Sequence, residues 1–214
     1  MGGPVDNGYP MMLDVSDRLV VVIGGGAVAA RKCEGLLAAG ATRIRVVSLE
    51  FSDKLPAAVE RVTAAFRAAH LDDAGLVFAA TDRPAVNDAV VVEARRRGVL
   101  VCRADGSELL EGDFSTPAVY REGAVTVTVS AAGSPVIAGK LRDKIARCLD
   151  RDLVMMADAM QEIRPMILQH RGLSESQRRE LFRRLATAES LEILKSGGLE
   201  GLKASVAEYV LSQT

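Results

Sequence analysis

Gly24, Gly26 and Ala29 form a G-x-G-x-x-A spacing directly after the apolar run Leu19-Val20-Val21-Val22-Ile23. Glycines in any tight turn reproduce that spacing, but a turn that follows a buried strand and opens a helix has a chemical use. The first glycine permits the turn, the second lets a pyrophosphate approach the backbone, and a small third residue allows close packing of helix on strand. The helix N-terminus, with Ala27 and Val28 in its first turn, then offers unpaired N–H groups and partial positive charge to phosphates. The end of the second strand selects the dinucleotide, because an acidic side chain there accepts the ribose hydroxyls of NAD and an arginine welcomes the 2′-phosphate of NADP. That end reads Ser48-Leu49-Glu50, with Glu50 placed 24 residues beyond Gly26 and no basic residue before Lys54. This favours NAD, with a solvated loop glutamate as the alternative.

Asp105 follows the apolar run Val99-Leu100-Val101-Cys102. In an open α/β sheet the ligand crevice lies beyond the carboxyl ends of the strands, so a carboxylate there is placed to accept a proton. The local sequence Arg103-Ala104-Asp105-Gly106 also reads as an ordinary turn, which is the stronger reading on these residues alone. Lys140, Lys144 and Arg147 fall at i, i+4 and i+7, one face of a helix, whose other face carries Ile137, Leu141, Ile145 and Cys148 or Leu149. That basic face is either solvated or a wall for an anionic ligand. His70 and His170 stand alone, and Cys33, Cys102 and Cys148 are far apart, so no metal site is expected.

The elements that must position these residues are legible around them. Buried strands are expected at 19–23, 44–48, 76–80 and 99–102, and helices from Ala27 toward Gly40 and from Pro84 to Gly98. Between Phe51 and His70 a short helix and a weak strand are expected. Strands alternating with helices imply a parallel sheet covered on both faces, a Rossmann-like α/β domain over 1–112. The stretch from Asp113 to Tyr120 and the alternating Val125–Val129 read as antiparallel strands in a 113–150 segment, and 151–214 as a helical C-terminal region. Ser134-Pro135 supplies an N-cap and N1 proline, and Ser174 with Gln177 a capping box. The stripe Leu153, Met156, Met160, Ile163 reads as helix or subunit core, ending or kinking at Pro165.

The 214 residues carry 27 basic and 28 acidic side chains, a net charge of −1, with 49% hydrophobic residues. This is a globular balance and argues against a nucleic-acid binder; the arginines 178, 179, 183 and 184 read as an exposed helix face. The N-terminus has neither a signal-peptide pattern nor a myristoylation pattern, the longest apolar stretch is too short to span a bilayer, and three unpaired cysteines suit a reducing compartment. A soluble cytoplasmic protein is expected.

Tyr9-Pro10, Leu13-Asp14, Gly24-Gly25-Gly26-Ala27-Val28-Ala29 with Arg31-Lys32, Ala79-Ala80-Thr81-Asp82 with Val86-Asn87, Phe114, Pro117-Ala118 and Ser134-Pro135 together resemble the precorrin-2 dehydrogenase family, the sirohaem-synthase module that in some members also inserts iron. The resemblance spans the first 150 residues. It implies that NAD takes a hydride from precorrin-2 while a proton is lost, giving sirohydrochlorin. It implies that Asp105 handles the proton or positions the substrate, that Thr81 and Asp82 line the cofactor cleft, that Asn87 holds the following helix or that loop, and that the protein is a homodimer paired after residue 112. The substrate's carboxylates make Arg103, Arg121, Ser130, Ser134, Lys140 and Lys144 candidate contacts. Ser130-Ala131-Ala132-Gly133-Ser134-Pro135 is one residue shorter than the family's Ser-Thr-Gly-Gly-x-Ser-Pro, and Arg103 stands where an asparagine is common. A non-catalytic NAD-binding sensor is the competing reading; it needs the glycine turn but not Asp105.

Overall fold

All five residues of Leu19–Ile23 are buried, and in the computed structural model, which describes residues 8–105 and 112–212, they form the central strand β1. It lies in a five-stranded, wholly parallel sheet with β2 (Arg43–Ser48), β3 (Glu60–Thr63), β4 (Ala74–Ala79) and β5 (Val101–Arg103), in the order β3-β2-β1-β4-β5. Side chains alternate across a pleated strand, so a run without polar interruptions must be covered on both sides. Val20 and Val22 pack with Ala29, Ala30 and Cys33 of helix α1 (Ala27–Leu37), in a cluster that also holds Val46 and Phe78. Leu19, Val21 and Ile23 enter a second cluster with Val77, Val101 and Val90, Val91 and Ala94 of helix α2 (Pro84–Arg96).

The chain lays β2 and β3 to one side of β1, then returns to lay β4 and β5 on the other. The order therefore reverses between β1 and β4, which opens a crevice above their carboxyl ends. Residues 51–59 form no helix; the stretch to His70 contributes β3 and a 3₁₀ turn, Ala68–Leu71. β5 is an edge strand whose first N–H is met by a side chain. Asp113 Oδ2 accepts from Val101 N–H at 3.0 Å, its own N–H donates to the Val101 carbonyl at 2.7 Å, and Arg95 pairs with Oδ1 at 2.9 Å. Asp113 is thus not the start of an antiparallel strand.

The chain divides into two compact units, 1–116 and 117–214. In the second, β6 (Ala118–Glu122) and β7 (Val125–Val129) pair antiparallel around Gly123-Ala124. Gly123 has φ +52°, and a Cβ there would lie 2.6 Å from the carboxyl carbon of Asp158, which accepts the Ala124 N–H at 2.6 Å. Helix α3 (Pro135–Arg147) lies on this hairpin, capped by Ser134 Oγ, which accepts from Ile137 N–H at 3.4 Å. Ala138 is its one buried residue.

Helices α4 (Arg151–Gln169), α5 (Glu175–Leu185) and α6 (Ala188–Ser212, interrupted at Gly198) share a core containing Met156, Ile163, Leu181 and Leu202. Met160 packs against it, whereas Leu153 is exposed. The expected capping box opens α5: Gln177 N–H donates to Ser174 Oγ at 3.3 Å, and Ser174 N–H to Gln177 Oε1 at 2.8 Å. α4 continues through Pro165 instead of ending there. The carbonyl a proline orphans belongs to residue i−4, here exposed Gln161, which water can satisfy. Among the described residues no helix is long and apolar enough to cross a membrane.

Candidate functional site

The turn from β1 into α1 is set by steric limits at two glycines. Gly24 has φ +117°, and a Cβ there would lie 2.7 Å from the Ala80 carbonyl carbon at the end of β4. A Cβ on Gly25 would lie 2.9 Å from Ser48 Cβ and strike the Glu50 carbonyl. Gly26 differs, for a Cβ there would meet nothing within 4 Å. Its open side leaves room for a ligand to approach the backbone. Gly26 is also the N-cap of α1, with no side-chain cap and no acidic residue in the first turn, so the leading N–H groups face no competing anion from the helix itself. Ala29, fully buried, lets α1 sit tightly on the sheet.

Above the turn is a cleft of about 900 Å³ lined at all five strand ends: Gly24 to Val28 after β1, Ser48 to Ser52 at the end of β2, Ala64 to Phe66 after β3, Ala80 to Arg83 after β4, and Ala104 and Asp105 after β5. Its size falls in the range of roughly 300–1,000 Å³ typical of small-molecule and cofactor sites. Of the residues named from sequence, Gly24, Gly26, Ala27, Val28, Glu50, Thr81, Asp82 and Asp105 all line it, while Ala29 supports it from beneath. Glu50 is exposed just past β2, and Gly24 N–H to Val47 O (2.9 Å) and Ser52 N–H to Gly25 O (2.8 Å) hold its segment against the glycine turn.

Asn87, 0% exposed in the first turns of α2, joins the β4 end to Asp105. Its Oδ1 accepts from Thr81 N–H at 3.1 Å and the Thr81 hydroxyl at 2.7 Å, while its Nδ2 donates to the Thr81 carbonyl at 3.0 Å and to Asp105 Oδ2 at 2.7 Å. The backbone N–H only donates and the carbonyl only accepts, so the amide has one orientation. The Asp105 backbone is open, but its side chain is only 13% exposed.

Arg103 takes a different place from the one its sequence position suggests. Its side chain is 3% exposed and its guanidinium pairs with Asp105 and Asp88, instead of projecting toward substrate carboxylates. Those pairs raise its pKa, the Asp105 hydrogen bonds most of all. Arg121, Ser130, Lys140 and Lys144 are exposed in the second unit, and Ser134 is occupied as the α3 cap.

Sequence reasoning missed Asp88, Arg83 and Phe66. Arg83 directly follows Asp82 and so shares the strand end, a usable signal; Phe66 reaches the cleft from the stretch after β3, which has no clear pattern. The histidines serve local turns. His70 Nδ1 accepts Arg67 N–H at 3.0 Å and is less basic than usual, chiefly through burial; His170 Nδ1 accepts Gly172 N–H at 3.3 Å. Burial also pushes the Cys33 thiol up to about 11 and raises that of Cys102.

Residues 11–118 match a family described as "Putative NAD(P)-binding". The chain is 34% identical over 177 residues to siroheme synthase of Nitrosomonas eutropha, covering 79% of this chain and 37% of that protein. It is 33% identical over 210 residues to siroheme synthase of Methylococcus capsulatus, covering 94% and 42%. The chain thus spans about two fifths of the length of these curated relatives. Among solved structures it resembles "SirC, precorrin-2 dehydrogenase", with a TM-score of 0.72 and 22% identity, over 94% of this chain and 100% of that one. This likeness shares the α/β sheet, the small antiparallel sheet and the C-terminal helices.

Proposed function

The chain belongs to the NAD(P)-binding family, and from that premise we propose that it is an NAD-dependent dehydrogenase that oxidises precorrin-2 to sirohydrochlorin in tetrapyrrole synthesis. The observation that carries this reading is Asp105, a carboxylate anchored on the wall of a dinucleotide cleft. A sensor that only bound the dinucleotide would need the glycine turn and no such group. NAD, when bound, supplies the hydride acceptor. The turn at Gly24 to Gly26 and the first N–H groups of α1 would hold its pyrophosphate. Glu50 would accept its ribose hydroxyls and repel a 2′-phosphate. Thr81 and Asp82 would form the cleft wall beside it. When hydride leaves the macrocycle a proton must follow, and Asp105 would accept that proton or orient the ring for its loss.

Residues 1–112 are assigned to cofactor binding, 113–150 to dimerisation and substrate contact, and 151–214 to the helical region. Exposed Arg121, Lys140 and Lys144 would pair with the substrate's carboxylates, and Ser130 would donate a hydrogen bond. A homodimer is supported by the exposed apolar residues Val136, Ile137, Leu141 and Ile145 of α3. Buried free thiols at Cys33 and Cys102 suit the cytoplasm.

The test is conversion of precorrin-2 by the purified protein with NAD, followed by product absorbance, alongside Asp105→Asn. Wild-type protein should form sirohydrochlorin. The variant should bind NAD normally and turn over at least about tenfold more slowly, a conservative bound set below the roughly 10²- to 10⁴-fold that general-base help supplies. NAD binding without turnover would favour the sensor. Calorimetry should show NAD bound more tightly than NADP; the opposite preference would remove the role given to Glu50.

A further inference from the structure

Behind the cleft-wall carboxylate stands a guanidinium that bulk water barely reaches. Arg103 is the last residue of β5, and two residues on in an extended chain a side chain returns to the same side. Arg103 Nε donates to Asp105 Oδ1 at 2.7 Å and Nη2 to Oδ2 at 3.0 Å, a two-point fork. Nη1 donates to Asp88 on α2, and Nη2 also approaches the Pro84 carbonyl at 3.5 Å. Asn87 Nδ2 reaches Oδ2 of the same carboxylate from the other element.

This arrangement does more than neutralise a charge. Rotation of an aspartate carboxyl about its last torsion is broad, so one point contact leaves its plane undetermined. A planar fork fixes that plane, which a lysine ammonium on the same site could not do. Asn87 is itself locked by Thr81, so Asp105 is referenced to the end of β4 as well as to β5. Asp88 balances the far side of the guanidinium, which keeps a buried cation from depending on Asp105 alone.

The geometry points to Arg103 as a positioning residue for Asp105, which with Asn87 holds the carboxylate in one orientation against the cleft. The inference rests on the dehydrogenase reading above, and its function is to set where the proton-handling oxygen lies relative to a bound substrate. Misplacement of a reacting group by about 1 Å can cost roughly 10²-fold in rate.

The decisive measurement is a double-mutant cycle of Arg103→Ala and Asp105→Asn. Arg103→Ala should lower kcat at least about tenfold, with the NAD Kd and the precorrin-2 KM changed less than about twofold. Added to Asp105→Asn it should cost less than about twofold more, because its effect passes through the group already removed. Guanidinium chloride at millimolar concentration should restore part of the Arg103→Ala rate, and sodium chloride at equal ionic strength should not. A full additional loss on the Asp105→Asn background, or unimpaired turnover by Arg103→Ala, would overturn the assignment. Should Arg103→Ala not fold, Arg103→Lys enters the same cycle, with charge kept and the fork lost. If the wild-type protein does not oxidise precorrin-2, the dehydrogenase reading fails by itself. Crystal structures of the wild-type protein and the Arg103 variant then decide the clamp, an unchanged Asp105 orientation refuting it and a reoriented carboxylate supporting it.

Discussion

In β1 all five residues are buried, whereas in α3 only Ala138 is, although both segments present apolar side chains at regular spacing. The chain itself supplies β1 with α1 on one face and α2 on the other. For α3 the hairpin β6–β7 covers one side, and Ile137, Leu141 and Ile145 remain 54%, 43% and 42% exposed. The same sequence signal, an apolar stripe, thus marks a finished interior in the first unit and an unfinished one in the second. What differs is how far the neighbouring elements of each unit cover the stripe.

The strongest way to break the first half of this contrast is Gly24→Ala. The substitution forces a side chain into φ +117° and against the Ala80 carbonyl, so it should destabilise the protein by about 3 kcal/mol and abolish measurable NADH binding. Thermal unfolding and cofactor fluorescence check both effects. Unchanged melting would show that the turn has slack.

The second half is tested by Leu141→Asp. Light scattering at micromolar concentration should give dimer mass for the wild-type protein and monomer mass for the variant, with NADH affinity retained. A wild-type monomer would mean that α3 stays uncovered. Thiol labelling sharpens the contrast further. Cys33 and Cys102 should stay unreactive in both proteins until unfolding, while Cys148, exposed at the end of α3, should label faster in the variant than in the wild-type dimer.

The smallest expected effect concerns the outer face of α2. Glu93 is hydrogen-bonded by Arg96 at 2.8 Å and Arg97 at 2.5 Å, contacts that hold its carboxyl down to about 2 from its ordinary 4.5. A depressed folded-state value means that the stabilisation is fully present above 4.5 and is lost as pH falls toward 2. Glu93→Gln should therefore melt slightly below wild type at pH 7, and the gap should narrow between pH 4.5 and 2. A gap constant over that window would separate the ion pairs from stability.

The central strands were readable because parallel strands covered on both faces leave continuous apolar runs, as at Leu19–Ile23 and Leu76–Ala79. β3 was weak in the sequence because Glu60–Thr63 is an edge strand that owes its existence to backbone pairing with β2, and polar side chains suit such an edge. Asp113 and Arg103 misled for a common reason. Each satisfies a partner that folding brings close, the Val101 N–H for one and Asp88 for the other, and no local pattern announces such meetings. The cofactor cleft was legible because its residues sit at strand ends, which the sequence marks. The clamp behind Asp105 was not, because it joins residues 81, 87, 88 and 103 through side-chain contacts that no local pattern announces.

One consequence lies in the stitching of Ser48–Ser52 to the glycine turn. Gly24 N–H bonds to Val47 O, Ser52 N–H to Gly25 O, and the Glu50 carbonyl occupies the space a Gly25 side chain would need. The glycine turn and the loop after β2, proposed above as phosphate cradle and ribose selector, are therefore one mechanical piece. Lengthening or grafting the loop after β2 would disturb the cradle too, so a lineage that changed its dinucleotide preference would have to do so by exchanging side chains at positions such as 49 and 50 on an unaltered backbone.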